Sequence, residues 1–224
     1  NIPASVTSIG AYAFLFCHSL VKVTFENPSS LISIGSAAFM ECTLMTQIKI
    51  PSSVTSIGRE CFNNCNSLQF VLFEDNSLLT SIEPYTFNNC SSLSEIIIPS
   101  SISSFQNCCF SCCSLLEEIS FPSGLKVIEH NAFEQCISLK KISIPSSVAE
   151  IGSDAFCKCI SSKMSIYSRA FKDCSSLEQI SIPTNVVING NDIFIGCKLL
   201  KQISISSKNY EFIGLNSNVK IIPK

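Results

Sequence analysis

A Phe-x-x-Cys pair recurs nine times along this chain of 224 residues, and the repeat constrains the fold more than any other feature. Successive phenylalanines are 23 or 25 residues apart, except for one interval of 15 residues. One such unit is too short to bury its own apolar residues, whereas stacked units bury them against each other. The repeat therefore predicts a solenoid. The nine phenylalanines are Phe14, Phe39, Phe62, Phe87, Phe110, Phe133, Phe156, Phe171 and Phe194.

Further apolar positions recur around each phenylalanine, so that one coil reads P-x-x-V-x-x-I-G-x-x-A-F-x-x-C-x-x-L-x-x-I-x-I. The L-x-x-I-x-I segment ends in apolar and polar alternation, which is typical of a half-buried strand. The proline that follows has no N–H and ends the strand. The V-x-x-I segment is a candidate for a second short extended segment. The A-F-x-x-C segment is too short for an isolated helix, and we expect one helical turn held by packing. For the glycine after the isoleucine, we expect a positive φ.

We expect residues 1–224 to form a single solenoid of about nine coils of 23–25 residues, irregular at 157–170 and after 206. Two coils carry two extra residues, around Glu26-Asn27 and Asp75-Asn76, which predicts small bulges after a strand. The short interval before Phe171 predicts a lost or stunted strand near Ser161–Ser165. The segment 219–223 is either a last edge strand or the start of a further coil, and both ends look cut within the array.

This coil resembles the leucine-rich repeat of the BspA-like, or treponemal, type, and the resemblance covers the chain from Ile2 to about Ile205. It implies an α/β, β-rich fold: a right-handed leucine-rich-repeat solenoid with a parallel concave sheet and short helical turns on the other side. Proteins of this type are mostly surface proteins of oral and gut bacteria and of mucosal protist parasites such as trichomonads, and are regarded as adhesins and antigens.

The resemblance implies a non-enzymatic protein-binding domain, at the cell surface or secreted, that contacts host or matrix proteins through its concave face. An intracellular protein-interaction scaffold in the cytoplasm is the alternative, and a purely structural spacer is a third possibility. The chain begins with Asn rather than Met, and we interpret it as a fragment of a larger protein. The sequence does not identify the protein ligand.

Composition argues against several classes of function. Apolar residues make up 46% and charged residues 14% of the chain, which is unlike an intrinsically disordered protein. The net charge is −2 and long basic runs are absent from the sequence, so we expect no nucleic-acid partner. No apolar run approaches the roughly 20 residues of a membrane-spanning helix, so we expect no membrane span in this segment.

Catalytic arrangements are also missing from the sequence. The two histidines, His18 and His130, occupy different columns five coils apart, and a spacing of about 5 Å per coil keeps them too distant to cooperate. Neither a Ser-His-Asp nor a Cys-His arrangement emerges from the columns. Glycine-rich phosphate loops are absent as well. We therefore expect no catalytic residues and no cofactor.

Fourteen cysteines are present, and nine of them follow the phenylalanines in one inward column. Cysteines in such a column are expected to be buried free thiols with a weak S–H donor. Disulfides between adjacent coils are the alternative, because the expected Cα spacing alone would permit them. Cys61 occupies a position that is alanine in most coils, and we interpret it as a small core residue.

A Cys108-Cys109-x-x-Cys112-Cys113 cluster invites a zinc interpretation. The register opposes it, because Cys109 and Cys113 face the core while Cys108 and Cys112 fall in exposed columns. We expect no metal and interpret Cys108, Cys112 and Cys157 as incidental surface thiols. A zinc site and a local Cys108–Cys112 disulfide are the alternatives.

Outward positions of the L-x-x-I-x-I strands are mostly polar, with one exception. Phe70, Leu72 and Ile97 are apolar and belong to adjacent coils. An apolar cluster with a polar rim is typical of a protein contact, although contact with a neighbouring loop is an alternative. We call these three residues the apolar patch and predict that it binds a partner. Its predicted rim consists of Gln47, Lys49, Glu95 and Glu118.

Overall fold

The computed structural model describes residues 1–139, 145, 147, 148, 150–152, 155, 156, 158, 159, 179–181, 192, 194–198, 200–205 and 219–223. In these residues the chain is a parallel β-solenoid, as the repeat predicts. The shortened coil, with its expected stunted strand near Ser161–Ser165, lies outside the described residues. Cys157, Cys174 and the segment 206–218 lie outside them as well.

Thirteen short strands occur among the described residues. They are β1 (Ser8–Ile9), β2 (Ser33–Ile34), β3 (Gln47–Ile50), β4 (Ser56–Ile57), β5 (Phe70–Phe73), β6 (Ser81–Ile82), β7 (Glu95–Ile96), β8 (Ser104–Phe105), β9 (Val127–Ile128), β10 (Glu150–Ile151), β11 (Gln179–Ser181), β12 (Gln202–Ile205) and β13 (Lys220–Pro223). The described part of the chain contains no helix with the length and apolar character that a membrane span requires.

The strands belong to two faces of the solenoid. The L-x-x-I-x-I segments form the long-strand sheets, in the orders β3-β5-β7 and β11-β12-β13. The V-x-x-I segments form the short-strand sheets, in the orders β1-β2-β4 and β6-β8-β9-β10, which confirms the second extended segment. Strand β13 pairs in parallel with β12 and lies at one edge of the sheet that the described residues form. The extra residues Asp75 and Asn76 form a turn directly after β5, as expected.

The A-F-x-x-C segments form tight turns, and the prediction of a helical turn is wrong for the described coils. Residues two before and two after the phenylalanine have positive φ, as in Glu60 (59°) and Asn64 (60°), and this interrupts a helical path. Between them, the N–H of Phe62 donates to the carbonyl of Thr86 in the next coil at 2.9 Å. A helix is about 10 Å wide, whereas neighbouring strands lie about 4.8 Å apart. A flat turn matches the spacing of the strands from coil to coil, and a helix does not.

The glycines after the isoleucines serve close packing, and the expected positive φ is wrong at Gly35, Gly58 and Gly152. A Cβ atom on Gly35 would lie 2.4 Å from the backbone nitrogen of Ala11 in the preceding coil. At Gly10, in the first coil, a Cβ would meet no atom within 4 Å. Glycine at these three positions therefore lets one coil's backbone rest closely on another's, whereas Glu83, Gln106 and Glu129 occupy the same column in other coils.

The core is a continuous stack of phenylalanine rings. From Phe14 to Phe156, successive column rings lie 5.0–5.5 Å apart between centroids, with interplanar angles of 1–17°. Phe105 replaces a column isoleucine and packs edge-on against Phe110 and Phe133. Parallel rings at this separation attract each other beyond the burial of their area. The stack thus couples each coil to the next.

A thiol ladder runs beside the aromatic stack. Cys65 Sγ donates to the carbonyl of Phe39 at 3.1 Å, and Cys90 Sγ donates to the carbonyl of Phe62 at 3.2 Å. The same contact recurs at Cys42, Cys113, Cys136 and Cys159. Each of these carbonyls already accepts a backbone N–H, as that of Phe39 does from Cys42 at 3.2 Å, so the thiol is a second donor to it and finds its own acceptor inside the core.

Candidate partner-binding surface

The apolar patch lies on the long-strand sheet β3-β5-β7. Phe70 is 42% exposed, Leu72 is 45% exposed and Ile97 is 68% exposed. Their chain neighbours Val71 and Ile96 are buried in the core. This arrangement follows from strand geometry, because successive side chains point to opposite faces. The patch residues are therefore outward-facing strand residues in columns that other coils fill with polar side chains.

Strand register brings the patch and part of its predicted rim together. In the first row, Gln47 pairs with Phe70 and Phe70 pairs with Glu95. In the second row, Lys49 pairs with Leu72. Ile97 follows directly after Ile96, which pairs with Val71, so Ile97 continues the second row beside Leu72. Gln47, Lys49 and Glu95 are all exposed on this face.

Glu118 lies one coil beyond Glu95, outside the three-stranded ladder β3-β5-β7. It forms an isolated bridge position and is exposed, as is its neighbour Glu117. The N–H of Glu117 donates to the carbonyl of Ser94 at 3.4 Å, so Glu118 follows Glu95 in the first row, one coil further from Phe70.

Lys49 is held by a carboxylate that the strand pattern did not reveal. Its Nζ lies 2.8 Å from Glu74 Oε1, and the other oxygen of Glu74 accepts the backbone N–H of Ser52 at 3.1 Å. The hydrogen bond from Lys49 and then that from Ser52 lower the pKa of Glu74 below its ordinary value. Lys49 thus lies beside the patch with its charge already paired, a contact that the rim prediction did not include.

A cleft of about 310 Å³ adjoins the patch across the first three coils. Leu72 forms an apolar wall, and Lys22, Gln47, Lys49 and Glu74 contribute polar groups. Sequence reasoning missed this cleft. The two-residue insertion at 26–27 was its signal, because these extra residues line the cleft just past the end of the strand segment.

The cysteine cluster shows no metal site. Cys109 and Cys113 are buried, while Cys108 and Cys112 are partly exposed with φ values of 54° and 61°. All described cysteines have free thiols. Among the described residues, no group of three or more Cys, His, Asp or Glu side chains is placed to hold a metal ion.

Burial makes the column thiols poor nucleophiles. Desolvation raises the pKa of Cys42 to about 11, and it raises the pKa values of Cys65 and Cys90 further. Since the thiolate is the reactive form, these thiols remain protonated and inert near neutral pH. The column is thus structural.

Comparison with known proteins agrees with this architecture. The model of the BspA type leucine rich repeat region matches the chain in six copies, over residues 1–76, 32–163 and 160–219. A leucine-rich repeat protein from Eubacterium ventriosum is 29% identical with a TM-score of 0.64, over 73% of this chain and 43% of that protein. This chain thus spans less than half of that relative's length.

Two further solved structures share the fold. A leucine-rich repeat protein from Bacteroides ovatus is 25% identical with a TM-score of 0.52, over 100% of this chain and 77% of that protein. The pneumococcal vaccine antigen PcpA is 23% identical with a TM-score of 0.55, over 98% of this chain and 61% of that protein. No curated protein matches the chain significantly. Because the family model matches nearly the whole length, the chain belongs to the BspA-type leucine-rich repeat family.

Proposed function

We propose that this chain is a non-enzymatic binding domain that contacts host or matrix proteins through the long-strand sheet, at the cell surface or after secretion. The observation that carries the proposal is the apolar patch. Monomeric soluble proteins expose single apolar side chains freely, but adjacent ones with a polar rim are typical of contact sites. Phe70, Leu72 and Ile97 are adjacent by strand register and mostly surrounded by polar groups.

The size of the patch determines its role. A stable interface buries about 1,600 Å², far more than three side chains offer, so the partner must also cover the polar rows on both sides. Interfaces of this kind concentrate their binding energy in a few central apolar residues. We assign that central role to Phe70 and Leu72, and a water-excluding role to Gln47 and Glu95.

The experiment measures binding of the purified chain to a panel of immobilised extracellular-matrix and serum proteins. The double variant Phe70→Ser/Leu72→Ser is expected to weaken binding by about tenfold or more, because each truncated hot-spot residue costs about 1 kcal/mol or more. The matched control is Ile32→Ser/Leu78→Ser, which removes two comparably exposed apolar residues (52% and 57%) elsewhere. Equal loss of binding in the two double variants would show that the patch is not the binding site.

A cytoplasmic interaction scaffold is the second candidate, and the thiols favour it. None of the twelve cysteines that the structure describes forms a disulfide, which fits a reducing compartment. Antibody labelling of intact source cells separates the two locations. Staining without permeabilisation supports the surface role, and staining that requires permeabilisation supports the scaffold.

A further inference from the structure

The outward row of side chains that crosses the patch carries opposite charges on the two sides of Phe70. Lys22 pairs with Gln47, Gln47 with Phe70, and Phe70 with Glu95, so the four residues follow one another across adjacent strand segments. All four are exposed. The row therefore presents a cation, an amide, an aromatic ring and a carboxylate in that order.

The charged side chains of Lys22 and Glu95 are available to a partner. Among the described residues, the ion pairs are Lys49 with Glu74, Arg59 with Glu60, and Lys158 with Glu134, and neither Lys22 nor Glu95 takes part in one. The pairing of Lys49 with Glu74 at 2.8 Å leaves Lys22 as the cation that faces this row without a carboxylate. Beyond Glu95, the row continues in the next coil with Glu118, which is also exposed.

We propose that this row binds an extended segment of the partner protein that carries an acidic residue over Lys22, an apolar residue over Phe70 and Leu72, and a basic residue over Glu95. The proposal rests on the binding function proposed above and specifies the chemistry of its ligand. Electrostatic complementarity of this kind fixes the register of a ligand more than it raises affinity.

Strand geometry determines the spacing of such a segment. Lys22 and Glu95 are separated by three strand intervals, or about 14 Å at roughly 4.8 Å each. An extended chain rises about 3.3 Å per residue, so about four residues separate the acidic from the basic position. Alternate side chains of an extended segment face the same side, so the apolar residue stands two positions from the acidic one, about 6.6 Å along the segment, where its side chain lies between Gln47 and Phe70 and reaches the Phe70 ring. The segment can run in either direction, because the charges and not its backbone polarity set the register.

The test uses a phage library of random seven-residue peptides selected on the purified chain and on two charge-reversal variants. Wild-type protein is expected to enrich peptides with one acidic and one basic residue around an apolar one. Lys22→Glu is expected to enrich peptides with two basic residues, and Glu95→Lys peptides with two acidic residues. Enrichment of the same peptides by all three proteins would overturn the inference, and so would the absence of enriched peptides.

Affinities of the best wild-type peptide then separate this inference from the proposed function. Each charge reversal is expected to weaken binding by about two- to fivefold at low salt, as expected for exposed ion pairs, with a smaller effect at high salt. If Phe70→Ser/Leu72→Ser abolishes peptide binding while both charge reversals leave it unchanged, the inferred order of charges in the ligand is wrong, and the patch remains the proposed binding site. Peptide binding that survives Phe70→Ser/Leu72→Ser refutes both the inference and the patch.

Discussion

Replacing one ring in the middle of the phenylalanine stack tests whether the stack couples the coils. Phe87 is fully buried, and its ring lies 5.4 Å from that of Phe62 and 5.2 Å from that of Phe110. Phe87→Leu keeps an apolar side chain but removes both stacking contacts. At about 0.5–1.5 kcal/mol per contact, the free energy of unfolding is expected to fall by about 1–3 kcal/mol, and the void left beside leucine adds to this loss.

Phe14 supplies the matched control, because it stands at the beginning of the same column. It is partly buried and stacks on one ring, that of Phe39, at 5.0 Å. Phe14→Leu is therefore expected to cost about 0.5–1.5 kcal/mol. Chemical denaturation followed by far-UV circular dichroism measures both variants, with the wild-type chain as reference. The reasoning is refuted if Phe87→Leu lowers the transition midpoint no more than Phe14→Leu does.

Three further predictions follow from the packing, the thiols and the carboxylate beside the patch. Gly35→Ala is expected to cost about 1–3 kcal/mol in thermal or chemical unfolding because its Cβ would meet backbone at 2.4 Å, whereas Gly10→Ala should cost less, and equal costs would contradict the close-packing argument. Iodoacetamide at pH 8, read by peptide mass spectrometry, is expected to modify the partly exposed Cys112 first, Cys108 more slowly because burial raises its pKa, and the buried column cysteines not at all, and uniform labelling of the native protein would show that the column is accessible. The pKa of Glu74 is lowered in the folded chain by its lysine partner, so its contribution to stability is complete above the ordinary value of 4.5 and is lost as the pH falls through the folded value. Glu74→Gln should therefore flatten the pH dependence of stability below pH 4.5, and an unchanged acid profile would exclude this role.

The strand positions follow from spacing alone. Alternation in Gln47–Ile50 and Phe70–Phe73 predicts which side chains face outward, and a repeat of 23 residues predicts that equivalent positions align across coils. Both predictions are correct because the alternation of side chains is a local property of each strand, and stacked repeats place equivalent residues of neighbouring coils side by side.

The turn segments did not follow from the same reasoning. Helix propensity is a local property, but the A-F-x-x-C segment is shaped by the neighbouring coils about 4.8 Å away. The required left-handed residues include Asn64, Asn89 and Asn131, a residue type that tolerates positive φ, so a signal was present in the sequence. Cysteine adopts positive φ less readily than asparagine, and Cys108 and Cys112 occupy the same two positions, so the sequence pattern is harder to recognise.

The sequence by itself determined the repeat, the parallel solenoid, the inward columns of phenylalanine and cysteine, and the outward position of the apolar patch. These features depend on the periodicity of residue types, which can be read from the sequence alone. Only the tertiary structure decided that Lys49 is paired with Glu74, that Lys22 and Glu95 take part in no ion pair among the described residues, and that Gly35, Gly58 and Gly152 serve close packing. These features depend on distances between coils, and residues 22 to 26 positions apart approach each other only once the solenoid has stacked.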